Sequence, residues 1–550
     1  MILSNFKYKF VLFLLFFLFQ GCSNKNLNTN YDGLVISQEQ RASWIRNFNP
    51  LTPGSAARWP TSAGIYEPLM IFNSMKGKYI PWLATDYSWN KNNDILTITT
   101  RKNVQWSDGT LFSASDVLFT FNLMREYPAF DGRGIWSYLS NVKQIDDNNI
   151  EFKFSSVYVP GLDAIANQII VPKHIWEKIE DPIKFTNPEP VGTGPFTEIV
   201  KFKKQVWELG KNKNYWQKDK PKVEKLIFPA FPTNVQATYA LINGEVDWAG
   251  NFIPAIDRIF VERDPENHHY WFPRAGGSTF LYPNNTKKHL NDKHFRKAIS
   301  HAIDRELIAK VAMYDYTVPA HITALSEGMS RWRNNKDYKD DWTKFNPEKS
   351  LEILKSLNYN FFNKKLTDEN NQQLDFEIIV VSGWSDWIRA AQIISRNLKD
   401  IGINASVRTY DFGAWFSKLQ TGDYDFAISW AEKGNTPYNL YRGLMSEKFV
   451  KPIGEIAVLN WHRHGNPKID KLSSEYEKTS NQDVIKKIIF EMQEIFIENI
   501  PAIPLFAEPS WGEYNTSRYT NFPNEQNPYA QLSPNNSPEH LLVLIELEPK

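Results

Sequence analysis

At 550 residues the chain exceeds what a single core supports, and its length implies roughly two to four units. Its 63 basic and 62 acidic residues, spread along the chain, leave a formal net charge of +1, so no basic face for nucleic acid is implied. Aromatic residues make up 14 %, with 19 tryptophans, more than a core requires, so some are expected on surfaces or in clefts.

The lone cysteine, Cys22, excludes an intramolecular disulfide and a thiolate metal cluster. Lys7 and Lys9 precede the apolar run 10–19, which is short for a membrane span and reads as a signal peptide occupying residues 1–22. With Gly21 before it, Cys22 resembles the lipidated cysteine of a bacterial lipoprotein, giving a lipid anchor in the membrane. The same residues also fit an ordinary secretory signal with an incidental cysteine. Export is expected either way. Residues 23–32, rich in Asn, Ser and Lys, read as a flexible tether.

Leu34-Val35-Ile36 predicts a short strand, and Asn49-Pro50 a turn ahead of Tyr66-Glu67-Pro68-Leu69. Further on, Ile95-Leu96-Thr97-Ile98-Thr99 predicts a strand and Trp106-Ser107-Asp108-Gly109 a turn. Ser113 or Ser115 then caps a helix with Val117, Leu118, Phe121 and Leu123 on its apolar side. Asp108 and Asp116 read as turn and capping residues rather than catalytic acids, and His174, beside Ile175 and Trp176, as a packing residue. The glycines and proline of Val191-Gly192-Thr193-Gly194-Pro195-Phe196 make a backbone switch where an inserted block ends, since Gly tolerates positive φ and Pro fixes it. Residues 196–209 then predict hairpin strands closing on Asn214-Tyr215-Trp216, and 233–242 a helix.

Around residues 276–283 the chain is expected to cross to a second lobe. Phe295-Arg296-Lys297-Ala298-Ile299 and Ala302-Ile303-Asp304-Arg305 predict an amphipathic helix whose charged residues are exposed or in ion pairs. Strands at 374–381, 403–410 and 424–430 alternate with helices at 388–401 and 415–420, the pattern of an α/β domain with adjacent parallel strands. Ligands of such sheets lie beyond the carboxyl ends of the strands. Gly383-Trp384-Ser385-Asp386-Trp387 falls at one such end and Trp430 at another. A long helix over 480–498 and an extended run over 500–506 lead into Pro509-Ser510-Trp511-Gly512.

The text Trp106-Ser107-Asp108-Gly109, Gly192-Thr193-Gly194-Pro195, Tyr215-Trp216 and Ala302-Ile303-Asp304-Arg305 resembles the solute-binding proteins that feed bacterial ABC importers of peptides, nickel and oligosaccharides. The resemblance covers nearly the whole mature chain. It implies an α/β, two-lobed periplasmic-binding-protein fold of class II, cluster C type, with an inserted subdomain and a two-strand hinge. Lobe I would take residues 33–60, 191–277 and 506–550, the inserted subdomain 61–190, and lobe II 278–505. The protein would be a monomeric binder without metal, cofactor or catalytic residues. Permease and ATPase subunits are implied as partners.

Gly383-Trp384-Ser385-Asp386-Trp387, Thr436-Pro437-Tyr438-Asn439-Leu440-Tyr441-Arg442-Gly443 and Asn460-Trp461-His462-Arg463 look most like the family's binders of cello-, manno- or chito-oligosaccharides. By that similarity Trp384, Asp386, Trp430 and Trp511 are the first contacts, with Trp387, Tyr441 and Arg442 behind them and Arg46 and Glu67 reaching in from lobe I. Flat indoles suit the apolar faces of pyranose rings, and Asp386 suits their hydroxyls. An oligopeptide ligand stays open, because the fold-level motifs serve both substrate classes. A glycosidase would need only two carboxylates about 5 to 9.5 Å apart. No Gly-x-Ser-x-Gly, His-Glu-x-x-His or Walker glycine loop occurs.

Overall fold

The computed structural model describes residues 32–38, 40–52, 63–274, 276–334, 336–432 and 434–550. The expected signal peptide with Cys22, the tether up to residue 31 and part of the link from Asn49-Pro50 to Tyr66 lie outside the described residues. Gly33–Lys550 is built on two large sheets, each with its own hydrophobic core.

The first sheet has seven strands, with Leu34–Ser37 at its centre. This strand pairs in parallel with Lys225–Pro229 on one side and Trp248–Ala249 on the other. All four of its residues are buried, which is why it reads as a continuous apolar run instead of alternating. The expected hairpin forms from Phe196–Lys203 and Val206–Lys211, and it anchors on Trp207, whose buried ring stacks on Phe228 at 4.4 Å. A separate four-stranded antiparallel sheet holds Ala84–Trp89, Ile95–Thr100, Asn149–Phe154 and Leu139–Gln144. The helix Ala114–Glu126 packs on it and starts with a capping box, in which Asp116 accepts the Ser113 N–H at 2.9 Å. Asp108 holds its turn by accepting from Thr110 N at 3.0 Å and contacts the His174 ring at 2.7 Å, so His174 packs as a partner of that turn.

Gly192 and Gly194 earn their place differently from the sequence expectation. Neither has positive φ. A Cβ on either would overlap the carbonyl oxygens of Ile65 or Gly64, against which this segment lies, and Gly194 N donates to Ile65 O at 2.9 Å. Close approach of two backbones, not left-handed conformation, demands the glycines.

The second sheet has five strands, with Asp375–Val381 between parallel neighbours Asn404–Tyr410 and Phe426–Ser429. Ser278–Pro283 and Ile503–Ala507 complete it antiparallel. These two strands carry the chain into and out of this half, and the segments joining them to the first sheet run side by side. Trp271 N donates to Gly512 O at 2.9 Å, Ser510 N to Pro273 O at 3.1 Å and Glu508 N to Gly277 O at 3.0 Å. Paired connections of this kind permit hinge bending between lobes.

Arg296 and Arg305 are corrections to the sequence reading, which left them exposed or in ion pairs. Both are only 2 % exposed. Arg296 donates to the carbonyls of Ile500 and Asn499, each at 2.6 Å, closing the C-terminal end of the helix Gln482–Asn499. Arg305 donates to Pro504 O at 2.7 Å and Thr343 O at 2.8 Å. A guanidinium with five fixed donors satisfies several orphan carbonyls at once, which an amphipathic pattern does not reveal.

Candidate functional site

Among the described residues, two cavities border the second sheet's half of the molecule. The narrower, of about 380 Å³, is lined by Trp384, Asp386, Trp387 and Trp430 from the second sheet's side and by Trp511 from the return connection. Asn234, Asn251 and Phe252 close it from the first sheet's side. The wider, of about 890 Å³, takes in Arg442, Glu432, Asp163, Arg133, Arg274 and Arg331.

The narrow cavity sits where sheet topology puts it. Val381 ends its strand, and Trp384 stands directly before the helix Ser385–Asp400. Trp430 immediately follows the strand Phe426–Ser429. Both positions lie beyond the carboxyl ends of parallel strands. The helix Asn234–Ile242 meets this corner from the first sheet's side, with Asn234 N donating to Gly383 O at 3.1 Å and Asn234 Nδ2 to Ser385 Oγ at 3.2 Å.

Aromatic packing fixes the rings. Trp384 lies 4.9 Å from Trp387 and 6.4 Å from Trp430, centroid to centroid. Trp430 is nearly parallel to Phe412, with 11° between their planes, and the fully buried Trp415 backs it at 5.4 Å. On the return connection Trp511 meets Phe252 and Phe272 edge-on at 5.5 and 4.9 Å. Trp384, Trp430 and Trp511 remain half-buried, while Trp387 is buried. Rings braced by other rings present rigid faces with little rotamer freedom left to lose. Asp386, in the first turn of its helix, is buried, and this burial pushes its carboxyl up to about 6 against backbone hydrogen bonds that favour the anion.

The wider cavity differs in chemistry. The Arg442 guanidinium lies over the rings of Tyr138, Tyr438 and Phe449, and its Nη2 donates to the Tyr138 hydroxyl at 2.8 Å. Tyr138 and Tyr438 in turn donate to Glu477 Oε1 at 3.2 and 2.6 Å, tying the second sheet's helices to the four-stranded sheet's side. Glu432 is pushed up to about 7 by burial, with Arg442 and Arg133 opposing the shift.

Of the sequence-predicted residues, Trp384, Asp386, Trp387, Trp430 and Trp511 meet in the narrow cavity and Arg442 in the wide one. The other three line neither cavity. Tyr441 is wholly buried and donates to Thr323 O at 2.7 Å. Arg46 is exposed and pairs with Glu189 at 3.0 Å. Glu67 is wholly buried and accepts from Trp82 Nε1 at 2.6 Å, Tyr215 OH at 3.0 Å and Trp216 Nε1 at 3.2 Å. Sequence reasoning missed Asn251, Glu432 and Gln531, which line the cavities; each stands within two residues of an aromatic, Phe252, Trp430 and Tyr529 respectively, and that adjacency is the signal that could have found them. Among the described residues no group of three or more His, Cys, Asp or Glu side chains is placed to hold a metal ion.

Two α/β lobes joined by paired connections, with a cavity between them lined from both sides, define the class of periplasmic solute-binding proteins. Within that class the chain belongs to the bacterial extracellular solute-binding proteins of family 5, whose family 5 Middle model matches residues 78–450. It is the substrate-binding protein of an ABC importer, and the family is extracytoplasmic. The chain is 24 % identical to the dipeptide-binding protein of Escherichia coli (strain K12) over 72 % of its own length and 76 % of that protein. It is similar in structure to a periplasmic oligopeptide-binding protein of an oligopeptide ABC transporter from Thermotoga maritima, solved with mannohexaose bound. There the TM-score is 0.86 at 26 % identity, covering 94 % of this chain and 99 % of that one. The ABC transporter-associated periplasmic binding protein DppA from Helicobacter pylori, solved with the peptide STSA, shares the fold with a TM-score of 0.77 at 21 % identity, covering 94 % and 98 % of the two chains. No helix among the described residues is long and apolar enough to cross a membrane.

Proposed function

We propose that the protein captures an oligosaccharide, with β-linked sugars the best match to flat rings, by hinge closure of its lobes and delivers it to a membrane permease. The observation that carries this reading is the narrow cavity, lined by four tryptophans, Trp384, Trp387, Trp430 and Trp511. Indole faces suit the apolar faces of a pyranose, and the asparagines and Asp386 that line the same cavity suit hydroxyl groups. The mannohexaose-bound relative lends further support. In this reading lobe I comprises 33–60, 191–277 and 506–550, the inserted subdomain 61–190 and lobe II 278–505. A signal peptide directs export, Cys22 carries the lipid anchor, and the protein acts as a monomer that binds without cleaving.

An oligopeptide is the second reading, favoured by the wide cavity, whose arginines and carboxylates suit charged peptide groups, and by the dipeptide-binding relative. Tryptophan fluorescence and thermal shift against cellobiose, mannobiose, chitobiose and a tri- and tetrapeptide pool separate the two, with a product assay for cleavage. Saturable stabilisation by a sugar without product is expected. Stabilisation by peptides alone would overturn the sugar reading, and sugar cleavage would overturn the binder.

A further inference from the structure

The two cavities are lined in common by three residues of the return segment, Gln531, Asn536 and Ser537. This segment is held in place by one buried carboxylate. Glu539 accepts from Gln531 N at 3.2 Å, from Asn536 Nδ2 at 2.8 Å and, across to the four-stranded sheet's side, from Ser74 Oγ at 2.8 Å. The Gln531 side chain is itself oriented, because its Oε1 accepts from Ser510 Oγ at 3.0 Å. That bond commits the amide oxygen to protein. The Nε2 group has no hydrogen-bond partner among the described residues, yet it is not a sealed, unsatisfied atom. Its two donors are thus available at the point where one cavity gives way to the other.

From this geometry we propose that Gln531 is a specificity-determining residue at a waist between two subsites, and that the ligand is an oligosaccharide long enough to occupy both. Each cavity alone falls in the size range, about 300 to 1,000 Å³, that houses a whole small ligand, and Gln531 borders both, so a chain running from one into the other passes its donors. A longer chain places a hydroxyl, ring or linkage oxygen over Gln531. The inference rests on the oligosaccharide reading and adds to it a length requirement and a residue that enforces it.

The test is calorimetric titration of the full chain in detergent with cello- and manno-oligosaccharides from disaccharide to hexasaccharide, on the wild type, Gln531→Ala and Gln531→Glu. Gln531→Glu keeps an oxygen for Ser510 and replaces the donors with an acceptor, so it retains the local hydrogen bond if Gln531→Ala disturbs folding. The expected result is an affinity rise of about tenfold or more from disaccharide to tetrasaccharide, the scale of one or two well-placed hydrogen bonds plus ring contact. Both variants should flatten that rise, with a several-fold larger loss for the tetrasaccharide and longer chains than for the disaccharide. Affinity that stops rising at the disaccharide, or variants that weaken every length equally, would overturn the waist and leave the sugar reading standing. Binding of peptides with no sugar bound at any length would overturn the sugar reading and the length requirement together.

Discussion

Two buried carboxylates, Glu67 and Asp386, are each set among tryptophans, and they do opposite things. Glu67 is sealed, and three donors from Trp82, Tyr215 and Trp216 converge on it, stitching the segment after the Asn-Pro turn to the one after the hairpin. Its surroundings are complete without a ligand. Asp386 is as deeply buried, but the tryptophans around it, Trp384 and Trp430, keep half-exposed faces toward a cavity. A buried carboxylate with every neighbour satisfied is a structural clasp, whereas one beside unfilled space with rigid rings fits the binding surface proposed above.

Removing Glu67 sharpens the contrast most. Glu67→Ala orphans two indole N–H groups and a phenol, and is expected to cost about 3 to 5 kcal/mol of stability, read as a shifted urea midpoint. Ligand affinity of the folded fraction should be unchanged; a weakened affinity at equal foldedness would place Glu67 with the cavity instead.

The second prediction concerns pH. Burial raises the Asp386 carboxyl to about 6 from an ordinary 3.8, so the folded protein keeps a proton that the unfolded chain has already lost. Stability from this group is therefore full below about pH 4 and is lost as pH rises through about 6. Relative to Asp386→Asn, the wild type should lose up to about 3 kcal/mol between pH 4 and 7, measured by paired denaturant melts. Parallel curves for the two proteins would mean the carboxyl titrates as an exposed one.

Trp384→Ala should weaken sugar binding by roughly 1 to 3 kcal/mol, the loss expected when a well-packed aromatic contact is removed. Unchanged affinity with an intact fold would remove Trp384 from the site. The smallest effect belongs to Arg46→Ala. Its partner Glu189 and its own guanidinium are exposed, so a stability change below about 0.5 kcal/mol and no change in affinity are expected from chemical melts and titration.

Much of the fold was legible in the sequence because it is written in local patterns. The strand at Leu34, the capped helix after Ser113, the hairpin after Phe196 and the strand and helix alternation past Asp375 follow from spacing, turn residues and caps within a few positions. The ring cluster at Trp384, Trp387 and Trp430 was legible too, because strand ends in a parallel sheet have a known relation to ligands. Glu67 and Tyr441 show where such reasoning stops. Each sits in text like that of its cavity-lining neighbours, and only packing decides that they face inward to protein.

What the sequence alone determined is the family, the order of strands and helices, and the aromatic excess that had to be placed somewhere. Tertiary structure decided the rest: that Gly192 and Gly194 are required by the backbone at residues 64 and 65, that Arg296 and Arg305 close carbonyls some 200 residues away, and that Gln531 stands between two cavities. The reason is physical. Helix and strand propensities act over a few residues, while a cavity wall is made by segments far apart in the chain, and which side chains line it depends on how whole sheets and their connections pack.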